Sequence, residues 1–215
     1  MTSAAYALSP DALVRSFAAS RDTLGKVPMK LLDVVAEVRT LTHDAPYAVI
    51  GGLAQILWAR KTHTDDLDVA LAAEDLSAAR DLVSRGAAGP RWTLPGLPDR
   101  AYESDDVFQV VHLSFSGFVI DLIAFRNSLF NTEIVSTANP VPELGGIRFV
   151  RPELLLACHL LRPGPQAALA AVELILARRA KGGMDLAEAR AWAERLGRGE
   201  RLERALAHAD SFALE

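Results

Sequence analysis

The sequence predicts a mixed α/β (α+β) fold: a small mixed β-sheet core with N-terminal helices over residues 1–150, then a helical lobe over 151–215. Three observations predict it. Leu67, Val69 and Leu71 alternate with Asp66, Asp68 and Ala70, the period of two that marks a strand with one face in a core. Residues 108–115 and 118–125 are β-rich runs meeting at Ser116-Gly117, a tight-hairpin signal. After Val150 the apolar spacing turns helical and stays so to the end.

The elements follow in order. Ser9-Pro10-Asp11 supplies a capping serine and a proline at the first helical position, and Gly25 closes that helix. A second helix over 27–41 carries Leu31, Val34, Val35 and Val38 on one face. Residues 47–50 form a short strand that enters a helix over 52–60 with Leu53, Ile56 and Leu57 as its apolar stripe. The strand around 67–71 leads into a helix over 74–86, ended by Gly86. Residues 87–106, with Gly89-Pro90, Pro95-Gly96 and Pro98, form a long loop of the kind that is functional or mobile in compact domains. Pro152 opens a helix to Leu161, and further helices over 165–181, 185–197 and 199–209 are separated by Gly182-Gly183 and Gly197.

Half of the 215 residues are hydrophobic and 23% are charged, so the chain can bury a substantial core. No apolar stretch is long enough to span a bilayer, and the N-terminal residues show no secretory signal. Cys158 is the single cysteine, which excludes an internal disulfide or thiolate cage and suits a reducing cytoplasm. The net charge of −4 excludes bulk coating of nucleic acid. The charge is uneven, however: residues 1–144 hold 12 basic and 18 acidic side chains, residues 145–215 hold 11 and 9. Arg178, Arg179, Lys181, Arg190, Arg195, Arg198, Arg201 and Arg204 either lace helix surfaces with i,i+4 ion pairs or form a landing surface for RNA or another polyanion.

Chemistry concentrates in two places. Asp65, Asp66 and Asp68 put three acids in four positions. Strand residues two apart project to the same side, about 7 Å from each other, so Asp66 and Asp68 can turn toward one point. Acids this close repel unless a cation lies among them, and Mg²⁺ favours one or two carboxylates plus substrate phosphate oxygens. The plain alternative is a strand end whose acids face water. Asp121 lies inside the apolar run 118–125, where an unpaired carboxylate loses much solvation energy. On a strand adjacent to Asp66 and Asp68, it would complete a cleft able to hold two metal ions about 3.5–4 Å apart. Otherwise it pairs with a base such as Arg126. Gly51-Gly52, between strand and helix, allows close approach of a ligand to the helix N-terminus, where free N–H groups meet phosphate oxygens. No G-x-x-x-x-G-K-[ST] is present, which excludes a Walker-type loop.

Ile50-Gly51-Gly52, Arg60, Thr64, Asp66-Leu67-Asp68-Val69 and Asp121 together resemble the DNA-polymerase-β-like nucleotidyltransferase superfamily, and within it the AbiEii/MenT-type toxin nucleotidyltransferases of toxin–antitoxin and abortive-infection systems. The matched motifs lie within residues 47–125, and Pro152-Glu153-Leu154-Leu155 resembles the start of that family's following helix. The resemblance implies an enzyme that moves a nucleoside monophosphate from ATP or another NTP to a hydroxyl, with a tRNA 3′ end or other RNA as acceptor and an antitoxin protein as partner. It implies that Gly51 and Gly52 hold triphosphate, that Asp66, Asp68 and Asp121 bind Mg²⁺ (or Mn²⁺), and that Asp121 assists the attacking hydroxyl. Arg60, Lys61, Thr64 and His159 complete the implied nucleotide contacts. The chain departs from the pattern at one point: Cys158-His159 stands where the resemblance implies a lysine, leaving Arg60 or Lys61 to supply the charge.

Several side chains have plainer readings beside the functional ones. His159 can be a packed helix residue, Trp58 a core residue rather than a base-stacking platform, and His63 a loop surface residue. Arg91, Trp92 and Arg100 can belong to a surface insertion. His43, His112 and His208 lack metal-ligand spacing, which argues against zinc. Two other functions compete. One is a nucleotide-binding regulatory module of the same fold with weak or no catalysis, favoured by the missing lysine. The other is a glycosyltransferase using Asp66 and Asp68 as its D-x-D, disfavoured because only 65 residues precede that motif.

Overall fold

Short buried runs and one pair of longer strands build the sheet: β1 (Tyr47–Val49), β2 (Asp66–Leu71), β3 (Val107–Phe115), β4 (Phe118–Phe125), β5 (Asn139–Val141) and β6 (Ile147–Phe149). Among the described residues these lie in one mixed sheet, ordered β3-β4-β2-β1-β6-β5. The computed structural model describes residues 45–59, 64, 66–72, 107–115 and 118–212, plus Ala36, Arg39 and Asp81 as isolated helical positions. The two N-terminal helices, the helix over 74–86 and the loop over 87–106 fall outside the described residues, apart from those three positions.

The sheet's centre is what positions the acids. β2 runs antiparallel to β1 and parallel to β4, with Asp66 opposite Val119 and Asp68 opposite Asp121. The β3–β4 hairpin is antiparallel, as the Ser116-Gly117 signal implies, with an irregular register between Gln109 and Val111. Alternation along β2 is as expected: Leu67 and Val69 are fully buried, while Asp66 and Asp68 on the other face stay half-buried.

Among the described residues six α-helices with assigned bounds accompany the sheet: α1 (Gly51–Trp58), α2 (Ser128–Ser136), α3 (Pro152–Leu161), α4 (Pro165–Ala180), α5 (Leu186–Arg195) and α6 (Gly199–Phe212). The four helices after Val150 match the sequence expectation closely. Two features were not expected, α2 and the β5–β6 hairpin. Asn127 starts α2 by accepting from the Phe130 N–H at 3.0 Å. The hairpin turns through a 3₁₀ segment (Pro142–Leu144) and two glycines of positive φ, Gly145 and Gly146. Its edge strand β5 holds Pro140, which fits an edge because proline donates no ladder hydrogen bond.

One hydrophobic cluster runs from Tyr47 on β1 to Ala209 on α6, so the helical lobe and the sheet share a core. Trp58 is a core residue, fully buried with its indole N–H donating to the Val150 carbonyl at 2.7 Å. No helix among the described residues is long and apolar enough to cross a membrane.

Candidate metal centre

The parallel β2–β4 register brings three acids together. Asp66, Asp68 and Asp121 each offer a carboxylate oxygen, and these oxygens all lie within 4.8 Å of one another. All three residues are half-buried. Hard oxygen donors so arranged, with no sulfur or nitrogen ligand among them, suit a hard divalent cation. The triad can hold a metal ion.

Asp68 is the central member. Its backbone carbonyl accepts from the Ile50 N–H at 3.0 Å, and its Oδ2 accepts from the Gly52 N–H at 3.2 Å. The helix α1 has no side-chain cap of its own at Ile50, so the Asp68 carboxylate, 16 residues downstream, answers its amino-terminal donors. Gly51 makes this possible. Its φ is +57°, and a Cβ there would sit 1.7 Å from Asp68 Oδ2. Any side chain at 51 would displace the carboxylate, and an L-residue would also resist that backbone angle. The glycine turn is therefore shaped around Asp68, a closer cause than the phosphate approach expected from sequence.

Electrostatics in the triad are unfavourable without a cation. Burial among protein atoms pushes the Asp68 carboxyl up from 3.8 to about 7, and the charges of Asp66 and Asp121 push the same way. The Gly52 hydrogen bond and the positive charge of Arg162 act against them. Thr64 is buried and donates from Oγ1 to Asp66 Oδ1 at 2.8 Å, which fixes that carboxylate's orientation.

Arg162 was missed by sequence reasoning. It caps the carboxyl end of α3, three positions beyond His159, and its charge reaches Asp68. Its signal was present in the sequence, since the helix opened by Pro152 must end near Gly164, and a cation at its end points where the helix ends. His159, by contrast, is buried with its Nε2 2.8 Å from Gln55 Oε1. Gln55 Nε2 donates to the Ala170 carbonyl at 2.9 Å, so Oε1 must accept and His159 Nε2 must carry the proton. That ring ties α3 to α1 and α4, which is the packed-residue role. Cys158 is also buried; burial, then the charge of Asp68, pushes its thiol up, so it is no nucleophile at neutral pH.

Arg60, Lys61, His63, Arg91, Trp92 and Arg100 lie outside the described residues. The backbone register sets His112 opposite Asp121, a proximity that sequence spacing does not reveal. Two of the lobe's basic residues pair between helices rather than along one. Arg179 on α4 pairs with Asp210 on α6 at 2.7 Å, and Arg190 on α5 with Glu203 on α6 at 3.0 Å, so these pairs join helices. No protein-family model matches the chain, and no curated protein matches it.

Proposed function

We propose that this chain is a metal-dependent nucleotidyltransferase of the polymerase-β-like type, transferring a nucleoside monophosphate from an NTP to a hydroxyl acceptor, with an RNA 3′ end as that acceptor. One observation carries the reading: three aspartate oxygens from two adjacent parallel strands converge within 4.8 Å, beside a glycine turn at a helix N-terminus. Asp66, Asp68 and Asp121 would hold Mg²⁺ or Mn²⁺, which when bound supplies charge neutralisation and polarisation of the α-phosphoryl group.

The chain's own residues do the rest by position and charge. The guanidinium of Arg162 attracts the triphosphate to the acidic side of the cleft, while the Gly52 N–H holds Asp68 in place. Thr64 keeps Asp66 in one orientation. The acceptor oxygen bonds to the α-phosphorus as the bond to the β-phosphate oxygen breaks; pyrophosphate leaves, and the hydroxyl proton passes to the Asp121 carboxylate. No covalent enzyme intermediate is needed. The toxin-type resemblance adds an antitoxin protein as partner.

A second reading, nucleotide binding without turnover, is favoured by His159, which is committed to Gln55 where a lysine would meet phosphate. One experiment separates them. The protein is incubated with each labelled NTP, Mg²⁺ and a total RNA pool, beside calorimetry with the same nucleotides. Label transfer that falls at least about a thousandfold in Asp66→Asn/Asp68→Asn supports the enzyme. Metal-dependent binding without transfer supports the module, and undiminished transfer by the double variant ends the proposed mechanism.

A further inference from the structure

A cavity of about 370 Å³ opens where the end of α3, the turn into α4 and one face of α6 meet. Its charged lining is all of one sign: Arg162, Arg201 and Arg204, with His159 and His208 beside them and no carboxylate. The spacing explains it. Arg201, Arg204, Ala205 and His208 follow i, i+3, i+4, i+7 and so share one face of α6. Two of the three acids of α6 are drawn elsewhere, Glu203 to Arg190 and Asp210 to Arg179, and the third, Glu200, is not among the residues lining the cavity.

Backbone carbonyls hold two of the guanidinium groups in place. Arg201 Nη1 donates to the Leu160 carbonyl at 2.8 Å and to the Arg162 carbonyl at 3.4 Å, and Arg204 Nε donates to the Glu200 carbonyl at 3.3 Å. These bonds fix the arginines without neutralising them. The guanidinium of Arg162 has no hydrogen bond or ion pair among the described residues, although its charge reaches Asp68. Three like charges around one space repel unless an anion joins them, and guanidinium groups match phosphate oxygens in pairs. The remaining wall is aliphatic, with Leu160, Val172 and Ala205, so it suits an organic group next to the anion. The volume is at the small end of ligand sites, which span about 300–1,000 Å³.

We infer that this cavity is a binding site for a phosphate-bearing small molecule of mononucleotide size or less, distinct in its residues from the acidic triad. The cavity shares Arg162 with the proposed triphosphate site but none of the three aspartates, so Arg204 and the aspartate double variant tell the two sites apart.

The test is calorimetry on the full chain with a chelator present, using inorganic phosphate, tripolyphosphate, AMP and adenosine. Saturable binding of the phosphate compounds and not of adenosine is expected; AMP and phosphate against tripolyphosphate tells a monoester site from one for a polyphosphate tail. Arg162→Gln and Arg204→Gln, both exposed side chains, should each weaken binding roughly tenfold or more, with Arg204→Lys restoring part of the loss. Melting curves check that each variant is folded, and Arg204→Lys carries the comparison should an amide variant fail to fold. Asp66→Asn/Asp68→Asn should bind phosphate as well as the parent or better, since a negative charge beside Arg162 is removed. The inference is overturned if adenosine binds as tightly as AMP or if the arginine variants bind unchanged. It also fails if phosphate binds only with Mg²⁺ and is lost in the aspartate double variant, which would put the anion at the triad. No saturable binding at millimolar phosphate overturns it as well.

Discussion

Asp68 joins three roles in one side chain: it pairs across β2 and β4 with Asp121, caps α1 through Gly52, and is an acid whose ionised form its surroundings oppose. Its folded-state pKa of about 7, against 3.8 for a free aspartate, means that the folded chain binds a proton there more tightly than the unfolded chain does. The ionised group therefore destabilises the metal-free fold, by nothing below about pH 4 and by a growing amount up to pH 7, reaching on the order of 2–4 kcal/mol above it. With a chelator present, Asp68→Asn should melt higher than the parent at pH 8, and the gap should close as the pH falls to 4. Mg²⁺ should then raise the parent's midpoint more than the variant's, because binding to the folded state stabilises it. A gap that does not change with pH would show that Asp68 is not strained by its surroundings. The sequence made the two aspartates legible through their period of two. It did not reveal what Gly51 is for, because the carboxylate packed against it comes from a residue 17 positions away, and glycine spacing carries no information about such a contact.

The pairing of elements decides whether Asp121 meets the other acids. A hydrophobic run with one aspartate was readable as a strand, but nothing in its pattern states which strand lies beside it. The parallel β2–β4 contact is long-range, and the chain between them includes β3. One side chain secures its far end. Asn131 on α2 is buried; its Oδ1 accepts from the Phe125 N–H at 3.1 Å and its Nδ2 donates to the Leu71 carbonyl at 2.8 Å. It thus bridges the last residues of β4 and β2. Asn131→Ala should cost about 2–4 kcal/mol in urea unfolding, since two buried backbone groups lose their partners, and Asn131→Asp should not restore it because a carboxylate cannot donate to Leu71. A loss below about 0.5 kcal/mol would mean that the strands hold their register without the clamp. The helix carrying Asn131 was not legible in the sequence. It spans nine residues with two apolar pairs, Leu129-Phe130 and Ile134-Val135, separated by Asn131, Thr132 and Glu133, and only its Asn127 cap marks it. The three-residue strands β5 and β6 were too short to show any period.

Sequence patterning divides the chain at residue 150, where strands give way to helices, yet the buried cluster crosses that point without a break. Phe130 on α2 packs against Trp192 on α5, ring centroids 5.3 Å apart, so aromatic contact spans the proposed boundary. Arg151 adds a polar join. Its guanidinium bonds to Glu188 on α5 through both terminal nitrogens, to Glu133 on α2 at 3.3 Å and to Thr137 Oγ1 at 3.1 Å. Burial alone would lower its pKa, but the Glu188 hydrogen bond and the charges of Glu188, Glu153 and Glu133 raise it, so the site favours the cation. A shared core and a three-way ion cluster predict that lobe and sheet unfold together. Far-UV circular dichroism and tryptophan fluorescence, which includes Trp192 at the junction, should give coincident urea transitions. Arg151→Met removes the join while keeping an apolar stem, and leaves Glu133 and Glu188 facing each other without their cation. It should lower stability by about 1–3 kcal/mol and shift both transitions equally. If the two signals instead separate in the parent protein, the lobe is an independent domain, and the continuity of the buried cluster does not make the chain one cooperative unit.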